Sequence, residues 1–395
     1  MDDTRPNKIS NIVALITHSL SEIDVLLPIF SAIKSDQDAQ IEVIIATRNI
    51  YHQYQQSKFY RFCFEQLNIN VSYCLLPNKF DPGFRLFLQR LPHRILIDIF
   101  FSILRVVQYA RIFKKLRAAT LLLHEFSNQT LSTQILYSIH KKFGTPICVY
   151  DHGHAIRLAQ AIGNNMIDAE LVTLLNFHEH NRQTFLNQGF TRQKIIGYPK
   201  FFPQWLPVVK EYFEHCSISS SRDDRQKHVV VFSRHIHPYY MDKTVYVFLL
   251  TTTIQSIRNT LGLRRIIIKP HPRESIDLIK EIIDENNFTR VDISNEHAAV
   301  LSCGALLAIS FWGSVILDPL SFNIPAVEYY IEAKRFRETE VEGSSYRNLG
   351  IDSVDNQNEL ESFIRRVIEN EYKVPTIISN LRRDVYLDSL FETVS

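Results

Sequence analysis

At 395 residues, with 45% apolar and 22% charged side chains, the chain has the composition of a soluble globular protein and too great a length for one core; two or three domains are expected. A net charge of +2 argues against a general nucleic-acid binder. Five scattered cysteines (Cys63, Cys74, Cys148, Cys216, Cys303), none in CxxC spacing, argue against a disulfide framework and against a zinc site.

The opening residues, Met1-Asp-Asp-Thr-Arg-Pro-Asn-Lys8, are polar and acidic, unlike a secretory leader, so a cytoplasmic location is expected. Ile12–Ile16 reads as a buried strand, Ser19 and Glu22 as a capping box, Val25–Ile33 as an apolar-periodic helix and Ile41–Ala46 as the next strand. That order opens a βαβ unit and implies a parallel sheet. Further strands are expected at Val71–Leu76, Ala119–Leu123, Pro146–Tyr150, Asp168–Thr173 and Lys194–Gly197, which complete a first domain over 1–205.

Asp81–Arg117 differs from its surroundings. It holds eight basic residues (Arg85, Arg90, Arg94, Arg105, Arg111, Lys114, Lys115, Arg117) interleaved with Phe84, Phe87, Phe100, Phe101, Tyr109 and Phe113, against the acids Asp81 and Asp98. Such a segment suits either a helix packed on the first domain with a basic solvent face or one lying in a membrane interface, here over 84–117. Arg94, Asp98 and Arg105 interrupt any apolar window long enough to span a bilayer.

Pro203, Pro207, Ser217–Ser221 and the charged run to Arg225 suggest a linker over 206–227. A second series follows over 228–375. Its expected strands are Val229–Phe232, Arg265–Ile268, Arg290–Ile293, Ala305–Ile309 and Ala326–Tyr330; its expected helices are Lys243–Leu261, Ile276–Asn286, Asn295–Ser302 and Val315–Ser321. The last residues, 376–395, read as a helix returning to the first domain. The expected fold class is α/β, with two Rossmann-like domains facing across a cleft. Without GxGxxG or GxxxxGK[ST], dehydrogenases and P-loop nucleotidases are not favoured.

Two motifs of the second series follow strands directly. In Lys269-Pro-His-Pro-Arg-Glu274, two prolines stiffen a loop carrying Lys269, His271 and Arg273, three donors suited to a phosphate or carboxylate at the carboxyl edge of the sheet. In Ser310-Phe-Trp-Gly-Ser314 a strand hands over to a helix, so Ser310, Gly313 and Ser314 fit an anion at a helix N-terminus, or an ordinary Ser cap. Arg234, His235 and His237 follow a strand of the same domain and reach toward the same phosphate, or form a common polar loop.

In the first domain, Tyr150-Asp-His-Gly-His154 also follows a strand. A histidine titrating near neutrality suits a general base, and Asp151 or His154 would fix the tautomer of His152. His124 and Glu125, after another strand, are candidates to bind an acceptor or to serve as an alternative base. No DxD stands in a convincing loop, so metal-independent chemistry is expected.

A strand ending in KPHP, then S-x-x-G-S, an apolar helix and IPAVE, resembles the carboxyl-terminal domain of bacterial glycosyltransferases of GT-B architecture. The likeness is greatest to those using cytidine-activated donors: the sialyl- and Kdo-transferases with HP and SS/ST motifs, and the teichoic-acid glycerophosphotransferases with an HG motif. The resemblance implies that His271, Ser310 and Ser314 bind the donor phosphate, with Lys269 beside them and Glu328 contacting ribose or cytidine. His152-Gly153 matches the HG motif, whose His is taken as the base; His154 stands where that family usually has Thr, so His152 and His154 both remain open. Ile195–Pro199 is similar to the end of the first domain in that superfamily.

The implied activity is sugar transfer from a nucleotide-activated donor, a CMP-sugar, to a growing surface polysaccharide or glycolipid, at the inner face of the plasma membrane. The implied partners are a nucleotide-sugar donor and a saccharide or lipid-linked acceptor, with no cofactor beyond the donor. Polyol-phosphate transfer from a CDP-polyol is the nearest alternative. The same scaffold also carries nucleotide-sugar 2-epimerases, and a non-catalytic polysaccharide-assembly protein would keep the phosphate clamp.

Overall fold

The structure, a computed structural model, describes residues 10–36, 38–74, 110–125, 131–150, 169–217, 227–237, 241–331, 345–348 and 350–375. The chain divides into two compact units with the break between Trp205 and Leu206.

Among the described residues of the first unit, a seven-stranded sheet runs in the order β3-β2-β1-β4-β5-β6-β7. These strands are β1 (Asn11–Ile16), β2 (Gln40–Ile45), β3 (Asn70–Tyr73), β4 (Leu121–Glu125), β5 (Ile147–Tyr150), β6 (Thr173–Asn176) and β7 (Gln193–Ile195). Every pairing is parallel. Among the described residues of the second unit six strands follow the order β10-β9-β8-β11-β12-β13, again all parallel. They are β8 (His228–Phe232), β9 (Ile266–Lys269), β10 (Val291–Ile293), β11 (Ala305–Ser310), β12 (Ala326–Tyr329) and β13 (Ser353–Val354).

These strands are apolar on both faces because helices cover both sides of a parallel sheet. Val229, Val230 and Val231 of β8 and Ile309 of β11 are fully buried, each contributing about 1.5–3 kcal/mol by burial. The helices are held by their own termini. The helix α1 (Ser21–Asp36) begins where Glu22 reaches back to the N–H groups of Thr17, His18 and Ser19, the capping-box geometry extended by two donors. A later helix, Lys243–Leu261, is capped by Asp242, which accepts from Val245 N at 2.8 Å; the next, Ile276–Glu285, is capped by Ser275.

Both sheets change direction of growth beside their first strand, between β1 and β4 in one and between β8 and β11 in the other. Open α/β sheets bind ligands outside the carboxyl ends of the strands at such a point. The second unit is thereby organised around the residues that follow β8, β9 and β11.

Three local expectations differ from the structure. Ala169–Leu171 is a 3-10 turn and β6 starts only at Thr173, because the apolar run Leu171-Val172 leads into the strand rather than forming it. The stretch read as linker starts with the helix α2 (Trp205–Ser217), whose Val208, Val209 and Tyr212 bury one face despite Pro207 in the first turn. The helix expected over Val315–Ser321 is a 3-10 turn, Ser314–Ile316, running into a short helix, Leu317–Ser321, stopped at Asn323 in the left-handed region. Residues 84–109 of the basic segment and the expected helix over 376–395 lie outside the described residues.

Candidate functional site

The double proline after β9 makes a closed turn. Glu274 N–H donates to the His271 carbonyl at 2.9 Å, while His271 N–H donates to the Glu274 carboxylate at 2.8 Å. That carboxylate also accepts from Ser233 Oγ, on the neighbouring loop after β8, at 2.8 Å, and from the Tyr246 hydroxyl. One side chain therefore ties the loops after β8 and β9 to the helix between them. Burial raises the Glu274 carboxyl above its usual range, against the pull of these donors.

The loops after β8 and β11 are joined by Arg234. Its Nη1 donates to the Trp312 carbonyl at 2.6 Å, and its guanidinium lies 4.5 Å from the centroid of the Trp312 ring. Trp312 stands at φ 52, a backbone region that bulky residues rarely enter, and is buried in a stack on Tyr330 with centroids 5.6 Å apart. Strain of this kind persists where the surroundings impose it, and it concentrates at ligand sites. At Gly313 the nearest atoms to an added Cβ would be Arg234 Nη1 at 3.5 Å and Val315 Cγ1 at 3.7 Å, with Ser310 Oγ at 4.0 Å. Ser310 Oγ itself is buried without a hydrogen-bond partner among the described residues.

His271 and His235 meet across β8 and β9 with ring centroids 4.5 Å apart. His271 Nδ1 accepts from Arg273 N–H at 3.1 Å, so the neutral ring carries its proton on Nε2. Burial, then His235, Arg234, Arg273 and Lys269, push the His271 pKa down to about 4. Burial, then Arg234, Arg273 and His237, lower that of His235. Both rings are thus neutral near pH 7, in a field that Arg234, Arg273 and Lys269 make positive. An anion would find there a guanidinium, an Nε2–H donor and the Ser310 hydroxyl.

At the carboxyl edge of the first sheet, Glu22, His124, Glu125 and the Tyr150 hydroxyl are all buried around the reversal between β1 and β4. Burial, opposed by three N–H donors and reinforced by Glu125, raises Glu22 to about 7. The Tyr150 hydroxyl has no hydrogen-bond partner among the described residues, and burial with the two glutamates holds its pKa well above the usual value. His124 is pushed down to about 4 by burial; its Nδ1 pairs with the Glu125 carbonyl at 2.8 Å and its Nε2 with Tyr137 Oη at 3.4 Å.

No protein-family model matches the chain, and no curated protein sequence matches it. Similarity appears in solved structures. The UDP-GlcNAc 2-epimerase of Neisseria meningitidis, bound to UDP-GlcNAc, is 12% identical, with a TM-score of 0.59 over 97% of this chain and 100% of that one. The UDP-GlcNAc 2-epimerase of Methanocaldococcus jannaschii is 14% identical, with a TM-score of 0.56 over 92% and 95%. A UGT transferase of Siraitia grosvenorii in complex with UDP is 10% identical, with a TM-score of 0.52 over 98% and 99%. The fold is the GT-B fold, common to epimerases and glycosyltransferases.

Within the GT-B frame the structure brings some expected residues together and not others. Arg234, His271, Ser310 and Gly313 cluster; Ser314 follows Gly313 at the start of the 3-10 turn. Lys269 Nζ donates to the Asn295 carbonyl at 3.2 Å, and Arg273 is exposed and enters through its backbone N–H and its charge. Glu328 is fully buried, paired in register with Ser310 and accepting from Ser353 Oγ at 3.3 Å. The helix expected to present its N-terminus is too short for a sizeable macrodipole, and the positive field beside it comes from Arg234, Arg273 and Lys269. Asp151, His152, Gly153 and His154 lie outside the described residues. Among those described, no cluster of metal-ligating side chains occurs and no helix is long and apolar enough to cross a membrane.

Sequence reading missed Glu274 as the tie between loops, Trp312 as the partner of Arg234, and the burial of Glu22 beside Glu125. A Glu three residues after His271, followed by a Ser cap, was the visible signal for the first.

Proposed function

We propose that the chain acts on a nucleotide-activated sugar and that its second unit holds the donor phosphates at the reversal between β8 and β11. The observation that carries this reading is Arg234, tied to Trp312 between the loops after β8 and β11 and flanked by His235 and His271 from the loops after β8 and β9. A guanidinium held in this way loses little freedom on binding phosphate. Solved structures of the same fold with UDP-GlcNAc or UDP support the ligand class.

The reaction we favour is sugar transfer to a saccharide or lipid-linked acceptor. The acceptor oxygen bonds to the anomeric carbon, and the bond from that carbon to the phosphate oxygen breaks. The acceptor proton passes to His152 or His154, and the electron pair leaves on the nucleotide, whose growing charge faces Arg234 and the Nε2–H of His271. A CMP-sugar donor follows from the KPHP and S-x-x-G-S likeness; polyol-phosphate transfer would use the same clamp. The second reading, 2-epimerisation of a UDP-sugar, is favoured by the full-length similarity to two epimerases.

Incubation with UDP-GlcNAc and with CMP-sugars, each with and without polysaccharide acceptor and followed by product chromatography, separates the readings. Conversion of UDP-GlcNAc without acceptor selects epimerisation; nucleotide release that depends on acceptor selects transfer.

A further inference from the structure

The helical residues 110–117 lead into β4, and the helix Leu131–Phe143 leads into β5, so both end at the edge of the first sheet where these strands begin. At that edge Phe143 is 38% exposed. The Arg117 guanidinium lies 5.1 Å and Lys142 Nζ 5.6 Å from its ring centroid, and Phe113 meets it edge-on at 5.9 Å. Beside them, Ala110, Phe113 and Ile135 line a groove between the helices, with Lys114, Arg117 and Ser138 around it.

The stretches 110–118 and 135–145 contain six Lys and Arg residues (Arg111, Lys114, Lys115, Arg117, Lys141, Lys142) and no Asp or Glu. Glu42 pairs with Lys115. Cations in the last turn of a helix favour its own dipole, which accounts for part of this charge. It does not account for an aromatic ring held outward between two cations, nor for the apolar groove beside it.

We propose that this edge of the first unit docks on an anionic bilayer surface. Phe143 and the groove take the acyl boundary of the headgroup layer, and Lys114, Arg117, Lys141 and Lys142 meet lipid phosphates. Charge complementarity selects the occupant: a row of cations around an aromatic tip is the composition that binds anionic headgroups, and each cation adds to the attraction. A nucleic acid would use the charges and leave the groove empty. The docking edge is opposite the carboxyl edge that bears His124 and Glu125. The proposal stands on the first unit alone and does not rest on the donor-binding reading.

The test is co-sedimentation of the full chain with phosphatidylcholine vesicles, with and without phosphatidylglycerol, at low and high salt. The expected result is binding to the anionic vesicles that weakens with salt, and about tenfold weaker binding by each of Phe143→Ser and Lys142→Glu. Both positions are exposed, and an unchanged melting temperature with an unchanged far-ultraviolet circular dichroism spectrum shows that the variants are folded. Absence of binding to anionic vesicles, equal binding by the variants, or binding of single-stranded RNA in place of vesicles would overturn it.

Discussion

Arg234 and Trp312 are joined twice, by a hydrogen bond of 2.6 Å to the Trp312 carbonyl and by a guanidinium lying 4.5 Å from the Trp312 ring centroid. The two contacts fix the plane as well as the position of the guanidinium. Arg234→Lys keeps the charge and loses the fork and the stacking, so nucleotide affinity should fall by about tenfold or more while the fold persists. Titration calorimetry with the preferred nucleotide checks this; an unchanged affinity would mean that charge alone suffices.

Glu274 accepts from Ser233, His271 and Tyr246 and is the tie between the loops after β8 and β9. Glu274→Gln turns an amide against at least one donor, so the second unit should lose about 1–3 kcal/mol and the His271 loop should loosen. Thermal melting reads the first effect. Nucleotide affinity reads the second, and it should fall more than in a surface variant of equal melting temperature.

His271 is held at about 4 by burial and by His235, Arg234, Arg273 and Lys269. A bound phosphate offsets those cations and raises the pKa toward its ordinary value, so binding takes up a proton and affinity rises as pH falls from about 7 to 5. Calorimetry in two buffers of different ionisation enthalpy should give different apparent heats. Equal heats would remove His271 from the phosphate site.

Glu22 is linked to folding rather than to binding, in the same direction. Its folded pKa of about 7 lies above the ordinary 4.5, so its contribution is fully present below pH 4.5 and is lost as pH rises through 7. In Glu22→Gln, melting of the first unit should depend less on pH across that window. A variant with the parent's slope would place the titration elsewhere.

Much of the second unit was legible in its sequence. Lys243–Leu261 has the predicted bounds because Asp242 and Gly262 punctuate a long periodic run, and the turn after β9 is marked by two prolines and the Ser275 cap. The role of Arg234 was less so, since it depends on β8 lying between β9 and β11, a spatial order that the chain order does not display. The left-handed backbone of Trp312 carries no residue signal, because a tryptophan there is imposed by packing on Tyr330. Pro203 and Pro207 disguised the helix over 205–217, where proline is tolerated in the first turn. The spacing of Ser19 and Glu22 marked a capping box but not the burial of Glu22, since local spacing does not report what packs over it.

The expectation of metal-independent chemistry has its own check: turnover of the accepted nucleotide sugar should persist in EDTA. Loss on chelation with recovery on adding Mg²⁺ or Mn²⁺ would refute it.

The central claim, that the reversal between β8 and β11 holds the donor phosphates, is tested most directly by thermal shift of the wild-type chain and of Arg234→Ala with CMP, CDP, UDP and GDP. A ligand that binds only the folded state raises the melting temperature. The account predicts a shift with at least one nucleotide in the wild type and its loss in Arg234→Ala, with the unliganded melting temperature changed little. An undiminished shift in Arg234→Ala, or none of the four nucleotides stabilising the wild type, would contradict it.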